Sequence, residues 1–185
     1  MKTPLEYQAT ECDCCSSSFV NAFRYLFDRK EIPPVIIKKI YNYTIDRDNA
    51  RGTTREATVK LIEYFNEYVK NNEFKFEAIR KEGKVINTKF LSKEFKKNTV
   101  IILRLWSLYE HYVLVTKIDK EYIYLFDPYF DCPSTYDTDS DIEVISDNKN
   151  YNRKVKIDRF DLEDKERDYA LGIKEKRECI IMRKN

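Results

Sequence analysis

The chain has a single histidine, His111, among 185 residues. Any chemistry that needs an imidazole therefore has no alternative to this one. Long apolar runs are also missing. The longest fall far short of the ~20 residues that a membrane-spanning helix needs, so no membrane span is expected. The start, Met1 to Gln8, carries neither an apolar run nor a small-residue cleavage site, and no signal peptide is expected. Together these absences point to a cytoplasmic protein. Charge of one sign is lacking too. With 34 basic and 32 acidic residues the net charge is +2, too balanced for a nucleic-acid footprint. The charges are interspersed and read as a solvated surface. Five cysteines is an odd number, and Cys12, Cys14 and Cys15 crowd together, so a disulfide framework is not expected in a reducing compartment. Only three glycines stand beside abundant Lys, Ile, Tyr and Asn. That pattern suggests an AT-rich coding sequence and carries no mechanistic weight.

What is present suits a soluble globular protein: 42% hydrophobic and 36% charged residues in a length that buries a real core as one domain, 1–185. No internal repeat or low-complexity linker interrupts it. The N-terminal half has helical period. Phe19, Val20, Phe23, Leu26 and Phe27 share a face and predict a helix from about Cys14 to Phe27. Pro33-Pro34 punctuates the chain, and Val35, Ile36, Ile37 and Ile40 predict a short proline-led helix. A turn is expected at Asn49 to Gly52. Thr53 with Glu56 reads as a capping box before a third helix, whose core face is Ala57, Leu61, Ile62, Phe65, Tyr68 and Val69. The period then changes. Phe74 to Ile79 alternates as a strand, a short helix is expected around Lys89 to Lys97, and Val100 to Trp106, Tyr112 to Ile118 and Tyr122 to Phe126 predict three more strands. Asp119-Lys120-Glu121 between the last two is short enough for a hairpin. Asp127 to Asn150 reads as a long polar loop, with further strands at Lys154 to Ile157 and Cys179 to Met182. Helices first and strands afterwards predict an α+β fold with an antiparallel sheet.

The chemistry concentrates in three places. Gln8 to Ser16 carries the cysteine cluster and leads directly into the first helix; His111 opens an apolar strand; Asp127-Pro128 ends the next one. A thiol attacks only as thiolate, with an ordinary pKa of about 8.5, and a helix N-terminus favours that anion. An imidazole then moves the proton, and a third group on its far nitrogen fixes the tautomer. If the two strands pair as a hairpin, His111 and Asp127 meet at one edge although 16 residues apart. These are the parts of a Cys-His-Asp nucleophile system. Periodicity does not choose among Cys12, Cys14 and Cys15. The plainer readings are a buried core thiol for Cys14, a satisfied strand-edge histidine for His111 and an ordinary turn at Asp127-Pro128. A zinc site from Cys12, Cys14, Cys15 and His111 lacks the usual ligand spacing and a second Cys-x-x-Cys pair, so no metal and no cofactor are expected. The 14 tyrosines read as core and interface filler.

A resemblance does choose. Gln8-x5-Cys14 at a helix start resembles the papain-like fold. More narrowly, Gln8, Glu11 and Asp13-Cys14, with His111-Tyr112-Val113-Leu114-Val115, Asp127-Pro128 and Arg51-Gly52-Thr53-Thr54, resemble the bacteriocin-leader (double-glycine) peptidase family over about residues 5–130. The resemblance implies Cys14 as nucleophile, His111 as base, Asp127 as orienting acid and Gln8 as oxyanion donor. It also implies a bacterial source; family members often sit on peptide-exporting transporters, and with no membrane span expected here a free-standing version is implied. The family's glycine after the nucleophile is Cys15 in this chain. That swap keeps the backbone N–H but predicts a tighter substrate approach. The expected function is a cysteine peptidase acting on a peptide through a thioester intermediate. A thiol acyltransferase, which would take a small acyl substrate, and a catalytically silent peptide- or protein-binding domain are the alternatives.

Overall fold

A computed structural model of the chain describes residues 1–46, 52–107, 109–130, 133–164 and 167–185. Three helices come first: α1 (Cys14–Leu26), α2 (Pro34–Thr44) and α3 (Arg55–Asn71). They are followed by β1 (Phe76–Glu82), α4 (Thr88–Glu94), β2 (Thr99–Ser107), β3 (Tyr109–Ile118), β4 (Tyr122–Phe126), β5 (Ile142–Val144), β6 (Arg153–Lys156), α5 (Ile157–Phe160) and β7 (Glu178–Lys184). Among the described residues the strands form one sheet in the order β1-β7-β2-β3-β4-β6-β5, with each pairing antiparallel. The fold is therefore α+β, as the change of period predicts.

Local chemistry explains where the helices begin. Pro34 occupies the first turn of α2, where its missing N–H costs nothing. The expected capping box at Thr53 and Glu56 does not form; a simple N-cap one residue later replaces it. Thr54 is the N-cap of α3, its hydroxyl accepting the Ala57 N–H at 3.1 Å, while the Thr53 hydroxyl donates to the Thr44 carbonyl at 2.7 Å. Thr53 is used to tie the end of α2 to the start of α3, so the adjacent threonine takes the capping role. The expected turn from Asn49 and the start of the Arg51–Thr54 loop lie outside the described residues. The long segment after Asp127 is not wholly loop: it contains a 3₁₀ turn at Pro133–Tyr136 and the edge strand β5. Ile157 belongs to α5 rather than to the strand before it.

Each face of the sheet carries a core. Helices α1 to α3 cover one face, where Phe19, Phe23, Phe65 and Phe76 meet Ile102, Leu114, Ile180 and Met182. On the other face Leu91 and Phe160 pack with Ile101, Val113, Leu125, Leu171 and Ile181. The period-2 alternation of side chains explains why Cys179 to Met182 is an unbroken apolar run. Ile180 and Met182 face the helices, Cys179 and Ile181 face away, and both faces are buried. This last strand is inserted between β1 and β2, so the C-terminus is central to the sheet. Ile180→Ala should therefore cost about 2–5 kcal/mol of stability in urea titration, whereas Ile45→Ala, at a position 62% exposed, should stay within about 0.5 kcal/mol of the parent.

Candidate active site

Cys14 is the first residue of α1. The helix opens without a side-chain cap; its first helical bond runs from the Ser17 N–H to the Asp13 carbonyl at 2.9 Å. The Cys14, Cys15 and Ser16 N–H groups thus lack helical partners, as at any helix start. Asp13 instead organises the preceding loop. Its carboxylate accepts the Ala9 N–H at 3.1 Å, the Thr10 N–H at 2.8 Å and the Thr10 hydroxyl at 2.6 Å. That loop delivers the chain from Gln8 to the helix start.

His111 lies in β3 and Asp127 just beyond β4. The two strands pair as the expected hairpin, with Leu114 opposite Phe126. Its turn is fixed by the Asp119 carboxylate, which accepts the Glu121 and Tyr122 N–H groups at 3.0 and 2.9 Å. The His111 Nε2 is 2.7 Å from Asp127 Oδ1, and the Cys14 thiol is hydrogen-bonded to the same ring. With Nε2 engaged by the carboxylate, Nδ1 is the ring nitrogen left for the sulfur. Helix α1 is tied to β3 one turn beyond Cys14, where the Ser18 hydroxyl donates to the Tyr112 carbonyl at 3.0 Å. The structure thus brings Cys14, His111 and Asp127 together.

The other cysteines are set apart by their surroundings. The Cys15 side chain is fully buried and its thiol is pushed well above 9.0, chiefly by burial and then by the Cys14 and Glu178 charges against a bond to Thr53. It packs in the core under the helices. Burial pushes Cys179 up to about 12. Cys12 is half-buried, and Cys132 lies outside the described residues. No group of three His, Cys, Asp or Glu side chains that could hold a metal ion occurs among the described residues.

Gln8 stands beside this group. Its backbone N–H donates to the Pro128 carbonyl at 2.8 Å, one residue past Asp127. Its side-chain Nε2 donates to the Thr10 carbonyl at 2.7 Å, and its buried Oε1 has no partner. One of the two amide hydrogens is thereby committed to the loop.

The electrostatics follow from burial and pairing. Burial opposes charge on His111, but the Asp127 carboxylate and the Cys14 sulfur outweigh it and hold the ring well above 6.5. Burial likewise opposes charge on Asp127, and the His111 charge and bond, the Arg153 charge and the Tyr129 N–H outweigh it and hold the carboxyl below 3.8. Residues with no signal in the sequence complete the surroundings. The Tyr169 hydroxyl donates to Asp127 Oδ2 at 2.9 Å, the Tyr129 N–H donates to Oδ1 at 2.9 Å, and Asn152 grips the Asp127 backbone. Tyr169 and Asn152 lie beyond the stretch covered by the resemblance, and Asn152 is one polar residue among many, between Asn150 and Lys154, so nothing in the sequence singles either out.

A stability prediction follows from the two shifts. The raised His111 contributes stability that is fully present below its unfolded value near 6.5 and is lost as pH rises through its folded value. The lowered Asp127 contributes stability present above its unfolded value near 3.8 and lost as pH falls through its folded value. The stability lost in His111→Gln, measured by urea titration, should therefore be largest between about pH 4 and 6.5 and shrink toward alkaline pH. A loss that grew above pH 7 would contradict the pairing.

No family model matches this chain, and no curated protein matches it in sequence. A solved structure does: the crystal structure of a double glycine motif protease from an AMS/PCAT transporter in complex with the leader peptide. The match covers 100% of this chain and 93% of that one, with a TM-score of 0.52 at 16% identity. The shared element order, N-terminal helices and then an antiparallel sheet, shows that this chain has the papain-like α+β fold of that protease.

Proposed function

We propose that the chain is a cysteine peptidase that cleaves a peptide bond through a thioester, with Cys14 as nucleophile, His111 as acid and base, Asp127 as orienting acid and Gln8 as oxyanion donor. The observation that carries this reading is the continuous contact from the Cys14 thiol at the start of α1 through the His111 ring to Asp127. In the proposed reaction the Cys14 sulfur attacks the scissile carbonyl carbon and its π electrons move to the oxygen. The N–H groups free at the helix start, with the uncommitted hydrogen of the Gln8 amide, bind that oxyanion. The His111 imidazolium donates its proton to the leaving nitrogen, the C–N bond breaks, and a thioester remains. His111, now neutral, takes a proton from water as the hydroxide adds, and collapse releases the acid product and the sulfur. No metal or cofactor enters this scheme.

The relative with this fold is a double glycine motif protease holding a leader peptide, which supports a leader-type peptide with a Gly-Gly junction as substrate. The reading takes 1–185 as one domain, supported by the insertion of β7 between β1 and β2. It also takes the setting to be the cytoplasm of a bacterium. Free thiols at Cys14, Cys15 and Cys179 fit a reducing compartment, and no helix among the described residues is long and apolar enough to cross a membrane.

The test is mass spectrometry of a synthetic leader-type peptide carrying Gly-Gly, incubated with the protein. Cleavage after the second glycine, abolished in Cys14→Ala and His111→Ala, is the expected result. Acyl transfer to an added amine at the expense of hydrolysis would favour an acyltransferase, and binding without turnover a silent domain. Gln8→Ala should lower kcat about 10²–10³-fold with the fold intact; an unchanged kcat would remove Gln8 from the oxyanion site.

Limiting alkylation at neutral pH should modify Cys14 before the other cysteines. This is a stringent test, because Cys12 is the more exposed of the two and Cys14 is only 7% exposed. Peptide mapping that found Cys12 modified first would place the nucleophile elsewhere.

A further inference from the structure

Asp127 sits in a socket built by the part of the chain that follows it. Its backbone N–H donates to Asn152 Oδ1 at 2.7 Å, and Asn152 Nδ2 donates back to its carbonyl at 2.8 Å. Asn152 is itself held by its N–H on the Leu125 carbonyl at 3.0 Å, and it accepts the Ile145 N–H at 2.9 Å. The carboxylate is divided between two sets of donors. Oδ1 faces His111 and the Tyr129 N–H; Oδ2 takes the Tyr169 hydroxyl. A tyrosine hydroxyl has one hydrogen. Since that hydrogen goes to Asp127, the Arg153 Nε–H at 3.1 Å must donate to the tyrosine oxygen. The result is a directional chain from Arg153 to Tyr169 to Asp127 to His111.

Tyr169 is held in an unusual way for this task. It is 2% exposed, with φ at +64°, a left-handed conformation that a bulky side chain rarely adopts. Such strain persists only where the surroundings over-determine it. Here they do. The Trp106 N–H donates to the Ala170 carbonyl at 2.9 Å, the Leu171 N–H donates to the Phe160 carbonyl at 2.9 Å, and Arg159 Nε donates to the Asp168 carbonyl at 2.9 Å. Gly172, with φ at +68°, lies flush against the Trp106 ring, where a Cβ would come within 1.8 Å of the indole. The segment is thus pinned from three sides, with the Tyr169 hydroxyl on the carboxylate.

We propose that Asn152 and Tyr169 are positioning residues for the reaction, Asn152 fixing where the Asp127 carboxylate stands and Tyr169 setting how strongly it holds His111. This rests on the peptidase reading above. The groups that bear on the pair are Cys14 from α1, Tyr169 from the C-terminal segment, Arg153 from β6 and Tyr136, which is bonded to Tyr169. Burial and the Asp127 charge push the Tyr169 hydroxyl well above 10.0, so it remains a donor throughout the working range. A donor to a carboxylate draws charge away from its other partners. Removing the Tyr169 hydroxyl should therefore strengthen the Asp127–His111 bond, whereas removing the Asn152 clamp should loosen it. The two changes have opposite signs.

The single histidine makes the readout unambiguous, since one imidazole resonance titrates in the proton NMR spectrum. In Tyr169→Phe the His111 midpoint should rise by about half a pH unit or more. In Arg153→Met, which leaves the Tyr169–Asp127 bond in place, it should rise by less. In Asn152→Ala it should fall toward the ordinary 6.5. On a cleavable Gly-Gly peptide, Asn152→Ala should lower kcat about 10–10²-fold, as a displaced catalytic group does, with KM within about twofold. The NMR titration needs no substrate, so it stands even if the protein cleaves nothing. Midpoints equal to wild type in folded Tyr169→Phe and Asn152→Ala would overturn the proposal. So would a fall in both variants, which would mean that both residues serve only to hold the structure. If Tyr169→Phe does not fold, an unchanged midpoint in Arg153→Met and Asn152→Ala overturns it equally.

Discussion

A carboxylate buried away from water is tolerated only when its charge is matched and its oxygens are satisfied, and Asp127 imposes that condition on this fold. It needs a cation and gets His111; it needs donors and gets the Tyr129 N–H and the Tyr169 hydroxyl, with Arg153 behind. These partners come from separate stretches of sequence, so Asp127 can be buried only once β3, β4, β6 and the segment around Tyr169 are assembled. The Cys14 end of the site carries less of this burden. Its helix is anchored to β3 by Ser18 and by packing against the sheet.

The first half of this architecture was legible because its signals are local. A 3.6-residue apolar period over Phe19 to Phe27, a proline at the start of α2 and alternation through β2, β3 and β4 each depend on neighbours in sequence. The hairpin from His111 to Asp127 could be read because three residues join its strands. The threonine pair at α3 shows the limit of such reading. Glu56 favours Thr53 as the capping residue, yet the Thr53 hydroxyl goes to the Thr44 carbonyl, nine residues away, and Thr54 caps the helix instead.

The second half was poorly legible for a physical reason. Strand β7 is buried on both faces, so its four-residue apolar run shows no alternation, and its place between β1 and β2 depends on pairing across some hundred residues of chain. Asn152 and Tyr169 gave no signal, since nothing within a few residues of either marks a partner. Cys14, His111 and Asp127 were legible as chemistry because a thiol at a helix start, a lone imidazole and an acid-proline pair are unusual. The choice of Cys14 over Cys15 came from resemblance alone. The two differ in surroundings: successive helical residues point about 100° apart, and Cys15 is fully buried while Cys14 bears on the His111 ring.

The protonation of His111 bears on how the proposed reaction would run. In a serine triad the ring begins neutral and acts first as a base. Here Asp127 and the Cys14 sulfur hold the ring well above 6.5 despite its burial, so in the proposed reaction it would enter the cycle carrying its proton and act first as an acid toward the leaving nitrogen. Its basic step would then be deferred to hydrolysis of the thioester, once that proton had gone. The demand on Asp127 changes accordingly. It has to keep an imidazolium stable in a buried place through the first half of the cycle without taking its proton. A carboxylate held below 3.8 and supplied with its own donors meets that demand. If those donors were lost, the carboxylate would compete more strongly for the proton on His111, and transfer to the leaving nitrogen would slow. The C-terminal segment, which touches neither Cys14 nor His111 through Tyr169, would thus govern the site through the basicity of one acid.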